Sequence, residues 1–181
     1  GGAGGPYAGG GNGAQYPNVL EATDGVQATG GGGGGAVAPP GNSPYHHGGN
    51  GGSGIVVVRY QIRSVQAAKA TGGAISFYGG KTIHTFTSSG TFVTPAPFSE
   101  TVEYIIVGGG GGGGQPNAPG GNGAGAGGAG LLKDGSVSIS GPLTCPVTIG
   151  AGGAGEYLTS GNSGGTTTFT IPSGTPIASP G

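Results

Sequence analysis

Short runs of β-branched and aromatic residues, bounded by Gly, Pro, Ser and Asn, alternate along this chain with blocks of almost pure glycine. Such runs read as strands, because branched and aromatic side chains suit a pleated, half-buried surface. In Ile55–Ile62 the even positions Val56, Val58, Tyr60 and Ile62 make one apolar face, while Arg59 and Gln61 wet the other. Thr82–Thr87 and Thr91–Thr94 flank Ser88-Ser89-Gly90, which predicts a hairpin. Val102–Val107 is apolar on both faces apart from Glu103 and predicts a central strand. Ser136–Ser140, Pro146–Ile149 and Thr166–Ile171 bring the total to about seven or eight strands, a number typical of an antiparallel sandwich. Only Val65–Ala70 gathers helix formers, enough for a turn or two given the cost of nucleation. The pattern therefore predicts an all-β, antiparallel β-sandwich. Its expected core is Val56, Val58, Tyr60, Ile105, Ile106, Val107, Val147, Ile149, Phe169 and Ile171.

The glycine blocks, at 1–13, 30–35, 48–54, 108–114, 119–130 and 150–155, hold much of the 51 Gly in 181 residues. They admit two readings. Glycine loses the most backbone entropy on ordering, which favours loose loops. Alternatively, the blocks form polyproline-II-type (polyglycine II) helices, whose N–H and C=O groups stay free to bond neighbouring segments. Side-by-side glycine segments then build a hydrogen-bonded bundle without a hydrophobic core. A collagen triple helix is excluded, since no strict Gly-X-Y frame runs through these blocks. On the bundle reading, Gly111→Val should prevent close packing.

Charge narrows the function. Charged residues make up 6% of the chain, five basic against six acidic, for a net charge of −1. Five scattered cations offer no electrostatic footprint for nucleic acid. The longest apolar runs, Ile55–Val58 and Ile105–Val107, are far too short to span a membrane as a helix. The chain has no signal peptide and no methionine, which points to a processed product or a piece of something longer. The single Cys145 reads as a small buried apolar residue rather than a nucleophile.

Several stretches mimic catalytic motifs. Gly108-x-Gly110-x-x-Gly113 follows a strand, as a dinucleotide fingerprint does, but any run of glycines matches it and no amphipathic helix follows. Gly79-Gly80-Lys81-Thr82 resembles the end of a phosphate loop, yet Ile75 stands where that pattern needs glycine. Gly161-Asn162-Ser163-Gly164-Gly165 satisfies G-x-S-x-G, but a strand rather than a helix follows it, and His84 and the carboxylates show no triad spacing. No catalytic, metal or cofactor site is predicted, and the chain reads as a non-enzyme. Tyr45, His46 and His47 form a polar loop whose alternatives are plain solvation or a surface contact patch.

With SSGTFVTP (88–95), VEYIIVGGGGGGG (102–114), VTIGAGGAG (147–155), GNSGGTTTF (161–169), ATGGGGGG (28–35) and GGSGIVVVRY (51–60), the chain resembles the glycine-rich domain of bacteriophage tail fibres and large bacterial surface proteins. The resemblance implies a β-sandwich carrying glycine-rich segments, placed in fibres or adhesins, with no catalytic residues. One departure stands out. In the family pattern GSGIVVVRY closes the domain, whereas here the closing half (1–63) precedes the opening half (72–181), across a linker at 64–71. That order suggests strand exchange between copies or adjacent repeats through Ile55, Val56, Val57, Val58, Tyr60 and Ile62, against the alternative of a permuted domain that folds back on itself. The expected function is a structural or adhesive unit of an extracellular or virion fibre. The alternative is a receptor-binding tip that recognises a host glycan or protein.

Overall fold

The structure, a computed structural model, describes residues 9–15, 20–37, 46–62, 68–115, 123–157, 159–172 and 174–181. Nine strands form among the described residues, and no helix. They are β1 (Ile55–Gln61), β2 (Ala74–Tyr78), β3 (Lys81–Phe86), β4 (Gly90–Thr94), β5 (Ser99–Val107), β6 (Leu132–Ser140), β7 (Leu143–Thr148), β8 (Thr167–Phe169) and β9 (Ile177–Ser179). Two antiparallel sheets, ordered β2-β3-β1-β5-β6 and β4-β7-β8-β9, pack face to face as a sandwich.

The period-2 pattern sets which residues meet between the sheets. Val56, Val58 and Tyr60 of β1 are buried, beside Phe86 of β3 and Val102 and Ile106 of β5. The smaller sheet contributes Phe92, Cys145, Val147 and Phe169 to the same core. Phe92 sits at its centre, with ring centroids 5.0 Å from His84, 6.1 Å from Phe169 and 6.2 Å from Phe98, all edge-on. His84 is the polar member of this cluster. Its Nδ1–H donates to the Gly72 carbonyl at 2.7 Å, and its Nε2 stands 3.2 Å from Tyr60 Oη. That hydroxyl also accepts the N–H groups of Lys69 (2.9 Å) and Ala70 (3.0 Å), so it donates its own hydrogen to His84. Burial pushes the imidazole pKa down, against a smaller upward pull from the Gly72 carbonyl. His84 is thus a satisfied core residue.

Three expectations need correction. Thr82–Thr87 and Thr91–Thr94 do not form a hairpin: β3 belongs to the larger sheet and β4 to the smaller. Both edges of β3 are already taken, by β1 and by β2 through the tight Gly79-Gly80 turn. Those glycines adopt φ +58° and +74°, the two left-handed positions of a type I′ turn. Ile105 is 44% exposed, because among the described residues no layer covers the outer face of the larger sheet. In the stretch Val65–Ala70, residues 65–67 lie outside the described residues, and Ala68–Ala70 are not helical.

The two halves of the sequence interleave. β1, from residues 1–63, lies between β3 and β5, both from residues 72–181. Its register runs Val58↔His84 on one side and Val58↔Tyr104 on the other. Arg59 pairs across to Glu103 (2.6 Å), which also takes Lys81 (2.5 Å). These two cations hold the Glu103 carboxyl below its ordinary pKa, the Lys81 hydrogen bond foremost.

Candidate functional site

The glycine segments leave the sandwich at one end and run side by side. Among the described residues there are eight: 9–15, 22–26, 30–36, 48–54, 108–115, 123–130, 150–156 and 159–165. Their backbone hydrogen bonds recur at every third residue. Gly110 and Gly113 N–H donate to Gly52 and Gly49; Gly111 and Gly114 to Gly128 and Gly125; Gly109 and Gly112 to Gly165 and Asn162. Successive amides of segment 108–115 thus point to three different neighbours in turn. Every N–H from Gly108 to Gln115 donates to a backbone carbonyl of another part of the chain. The segment 108–115 bonds to 30–36, 48–54, 123–131, 150–156 and 159–165, so it lies inside the bundle.

This period decides where glycine is needed. A Cβ added at Gly109, Gly110, Gly112 or Gly113 would come within 2.1 Å of a neighbouring carbonyl oxygen. Residues whose row faces outward are free to differ. Asn50 and Ser53, three apart on 48–54, both carry polar side chains outward. The Asn50 N–H donates to Asp24 Oδ1 (2.7 Å) and its Oδ1 accepts the Gly155 N–H (2.9 Å), while Ser53 Oγ accepts the Ala28 N–H (3.0 Å). The segments 22–26 and 159–165 escape a search for glycine blocks for this reason. Each needs glycine only on the row facing a neighbour: Gly25 against Gly31, and Gly161 and Gly164 against Gly112 and Gly109.

Gly111 departs from its neighbours. A Cβ there would make ordinary van der Waals contact, 3.4 Å from Gly128 N and 3.6 Å from Asn162 O, without the overlap found at Gly110 and Gly112. Its row faces a groove of ≈ 380 Å³ between 123–130 and 159–165.

The bundle also accounts for the motif mimics. The amides of Gly108, Gly110 and Gly113 are committed to Leu131, Gly52 and Gly49, which leaves none to cradle a phosphate. Gly161–Gly165 lies in a glycine segment, not at a strand-to-helix elbow, and His84 is enclosed between the sheets. Among the described residues, no three His, Cys, Asp or Glu side chains gather to hold a metal. Nor is any helix long and apolar enough to cross a membrane.

The bundle's two ends differ. At one end Gly54, Gly108, Leu131, Gly150 and Pro180 lead into or out of strands. At the other lie the segment ends Gln15 and Leu20, Val37 and His46, Gln115 and Gly123, and Tyr157 and Thr159. His46 and His47 sit at this far end. His46 is buried to 9% exposure, with Nδ1 3.7 Å from the Glu21 carboxylate, and the His47 ring lies 5.1 Å from that of Tyr157. Tyr45 lies outside the described residues. Glu21 and Tyr157 carry no local sequence signal, because only the folded bundle brings them beside the two histidines. The residues Ile55, Val56, Val57, Val58 and Tyr60 lie in β1, and Ile62 follows it with its N–H on the Gly80 carbonyl. Both edges of β1 are occupied by the chain's own β3 and β5. In this structure the chain closes on itself, and a second copy reaches β1 only if the sheet is broken.

An antiparallel sandwich that extends into a hydrogen-bonded array of glycine segments defines a glycine-rich β protein. A family model described as the glycine-rich domain matches residues 87–181, more than half of the chain, which therefore belongs to that family. No curated protein and no solved structure matches it. The matched stretch opens just before β4; the GSGIVVVRY block at β1 lies ahead of it in sequence but inside the same sheet.

Proposed function

We propose that this chain is a non-enzymatic structural and adhesive module of an extracellular or virion fibre, associating with copies of itself or with adjacent repeats. The observation that carries this reading is the bundle itself. Its glycine-rich segments, read as polyglycine II helices, form a rod held by backbone hydrogen bonds from one segment to the next. At about 3.1 Å per residue, a segment of eight residues spans roughly 25 Å. Such a rod resists bending without a hydrophobic core, since backbone hydrogen bonds tie each segment to its neighbours. The sandwich anchors the rod at one end. Electron microscopy of native particles with a labelled antibody against this chain tests the reading. Label repeated along a filament supports it; label on a soluble, unassembled protein overturns it.

A second reading, a receptor-binding tip for a host glycan or protein, is favoured by one observation. The side chains of Glu21, His46, His47 and Tyr157 converge at the end far from the sandwich. Aromatic and imidazole rings offer amphipathic contact surface at low entropic cost. Binding of the chain to host cells, compared with a His47→Ala/Tyr157→Ala variant, separates this role from a purely structural one. The tip reading expects a loss of at least tenfold, and equal binding by both overturns it.

A further inference from the structure

Four strands end the two sheets: β2 and β6 the larger, β4 and β9 the smaller. An edge strand shows a row of unpaired N–H and C=O groups, and folded proteins blunt such rows with charge, proline or a covering segment. β6 carries Lys133 and Asp134. The free side of β4 is taken by Thr71, whose N–H and C=O both bond Val93. β9 runs beside Leu131, whose N–H donates to the Pro180 carbonyl and whose carbonyl accepts Ser179 Oγ–H. β2, with the sequence AISFY, carries neither charge nor proline, and all five of its residues are exposed. Lys81, opposite Tyr78, is already paired with Glu103.

Turn geometry fixes which backbone groups of β2 are free. Across the two-residue Gly79-Gly80 turn, Tyr78 and Lys81 make the first hydrogen-bonded pair, and such pairs alternate along an antiparallel ladder. Ser76↔Ile83 and Ala74↔Thr85 are the next two. The N–H and C=O groups of Ile75 and Phe77 therefore point to the free edge, where nothing among the described residues bonds them. Side chains follow the same period of two. Ile75 and Phe77 stand opposite the buried His84 and Thr82, on the inner face of the sheet, yet they are 41% and 39% exposed. Ala74 and Ser76 lie on the outer face, opposite Thr85 and Ile83.

We infer that the free edge of β2 is a self-association surface: β2 of a second copy pairs with it, antiparallel, about a two-fold axis through Ser76. In this register Ile75 faces Phe77 of the second copy, and Phe77 faces its Ile75. Each of these residues presents a donor and an acceptor to the edge, so each pair exchanges both N–H···O=C bonds and no group is left over. The same pairs set an aliphatic side chain against an aromatic one, a combination that stabilises sheets, and they cover the apolar surface that β2 exposes. No like charges meet, because the strand has none. Moving the axis to Ile75 or to Phe77 would set a free residue against Gly73 or Gly79, which leave the strand at φ +64° and +58°. The pairing joins two five-stranded sheets into one and leaves β1 in place between β3 and β5. A two-fold contact of this kind closes after two copies. The inference rests on the self-associating reading above, and it names the surface.

Sedimentation velocity over a wide concentration range tests it, on the wild-type chain and on Ile75→Pro and Ser76→Lys. The wild type should pass from monomer to dimer as concentration rises. Ile75→Pro removes an edge donor that the single chain does not use, and should raise the dissociation constant about tenfold or more, since each dimer loses two hydrogen bonds. Ser76→Lys sets two cations face to face across the axis and should raise it about threefold or more. It lies on the exposed outer face, so it keeps the test open should the proline variant fail to fold. The register is read by oxidative cross-linking. Ser76→Cys should give a disulfide-linked dimer, because Ser76 faces its own counterpart, whereas Ala74→Cys, equally exposed but facing Tyr78 of the second copy, should not. A wild type that stays monomeric to its solubility limit overturns the inference, as does association that neither substitution weakens. Cross-linking of Ala74→Cys as ready as that of Ser76→Cys overturns it too. Particle imaging reads the fibre role independently, so a chain seen along filaments but monomeric in sedimentation refutes this interface alone.

Discussion

A Cβ built on Gly112 would stand 2.0 Å from the carbonyl oxygen of Ala154. Neither backbone can retreat, because the Gly112 N–H is bonded to Asn162 and the Ala154 carbonyl to the Asn162 N–H. Gly112→Ala is therefore expected to cost about 3 kcal/mol or more, at the upper end of overpacking penalties. Gly111→Ala, one residue away, should change stability by about 0.5 kcal/mol or less, as surface substitutions do. Urea unfolding of the two variants checks the contrast. Equal effects would mean that the segment is not packed as described.

Amide hydrogen exchange should divide the chain against its composition. The amides of Gly109, Gly110, Gly112 and Gly113 all donate within the bundle and should exchange slowly. Ser88, in the exposed turn between β3 and β4, should exchange fast. Loose glycine loops would show no such protection, so uniform rapid exchange across 108–115 refutes the bundle.

Tyr60→Phe removes one oxygen that serves three partners. The N–H groups of Lys69 and Ala70 lose their acceptor and His84 Nε2 its donor. With each unsatisfied buried group costing about 1–3 kcal/mol, a loss of about 3 kcal/mol is expected from chemical denaturation. Tyr78→Phe, at a hydroxyl-bearing side chain 83% exposed, serves as the control and should be nearly neutral.

Stability should fall as the solution is acidified through the histidine range. Burial holds the folded His84 pKa below its ordinary value, so the unfolded chain binds a proton first as pH drops below about 6.5. Stability is therefore full above that value and declines below it. Thermal melts at stepped pH should show this decline, and His84→Gln should flatten it. The lowered Glu103 carboxyl acts in the same direction but in a more acidic window, beginning near the ordinary glutamate value of about 4.3.

Much of the sandwich was legible because period-2 alternation is local. Val56, Val58 and Tyr60 declare their shared face within seven residues, and they are buried together. What period 2 does not report is whether the second face is covered, and so Ile105 read as core and is exposed. The short β2 and β9 carried too little pattern to be read. The Ser88-Ser89-Gly90 turn looked like a hairpin because turn chemistry is the same whether the chain returns to its own sheet or crosses to the facing one. At the far end of the bundle, His46 and His47 were visible as a pair in sequence, whereas their neighbours Glu21 and Tyr157 were not.

The sequence by itself determined that the chain is all-β, that its strands alternate with glycine, and that its glycine blocks are numerous enough to pack against one another. Those properties follow from side-chain shape and from the missing Cβ, which act residue by residue. The tertiary structure alone decided which glycines are indispensable. Gly111 and Gly112 are indistinguishable within their run of seven; the rows of a three-residue turn point one at an open groove and the other at the Ala154 carbonyl. It alone decided, too, that β1 closes the sheet of its own chain. Strand pairing depends on which edge lies within reach in space, and no local pattern in Ile55–Gln61 encodes that distance.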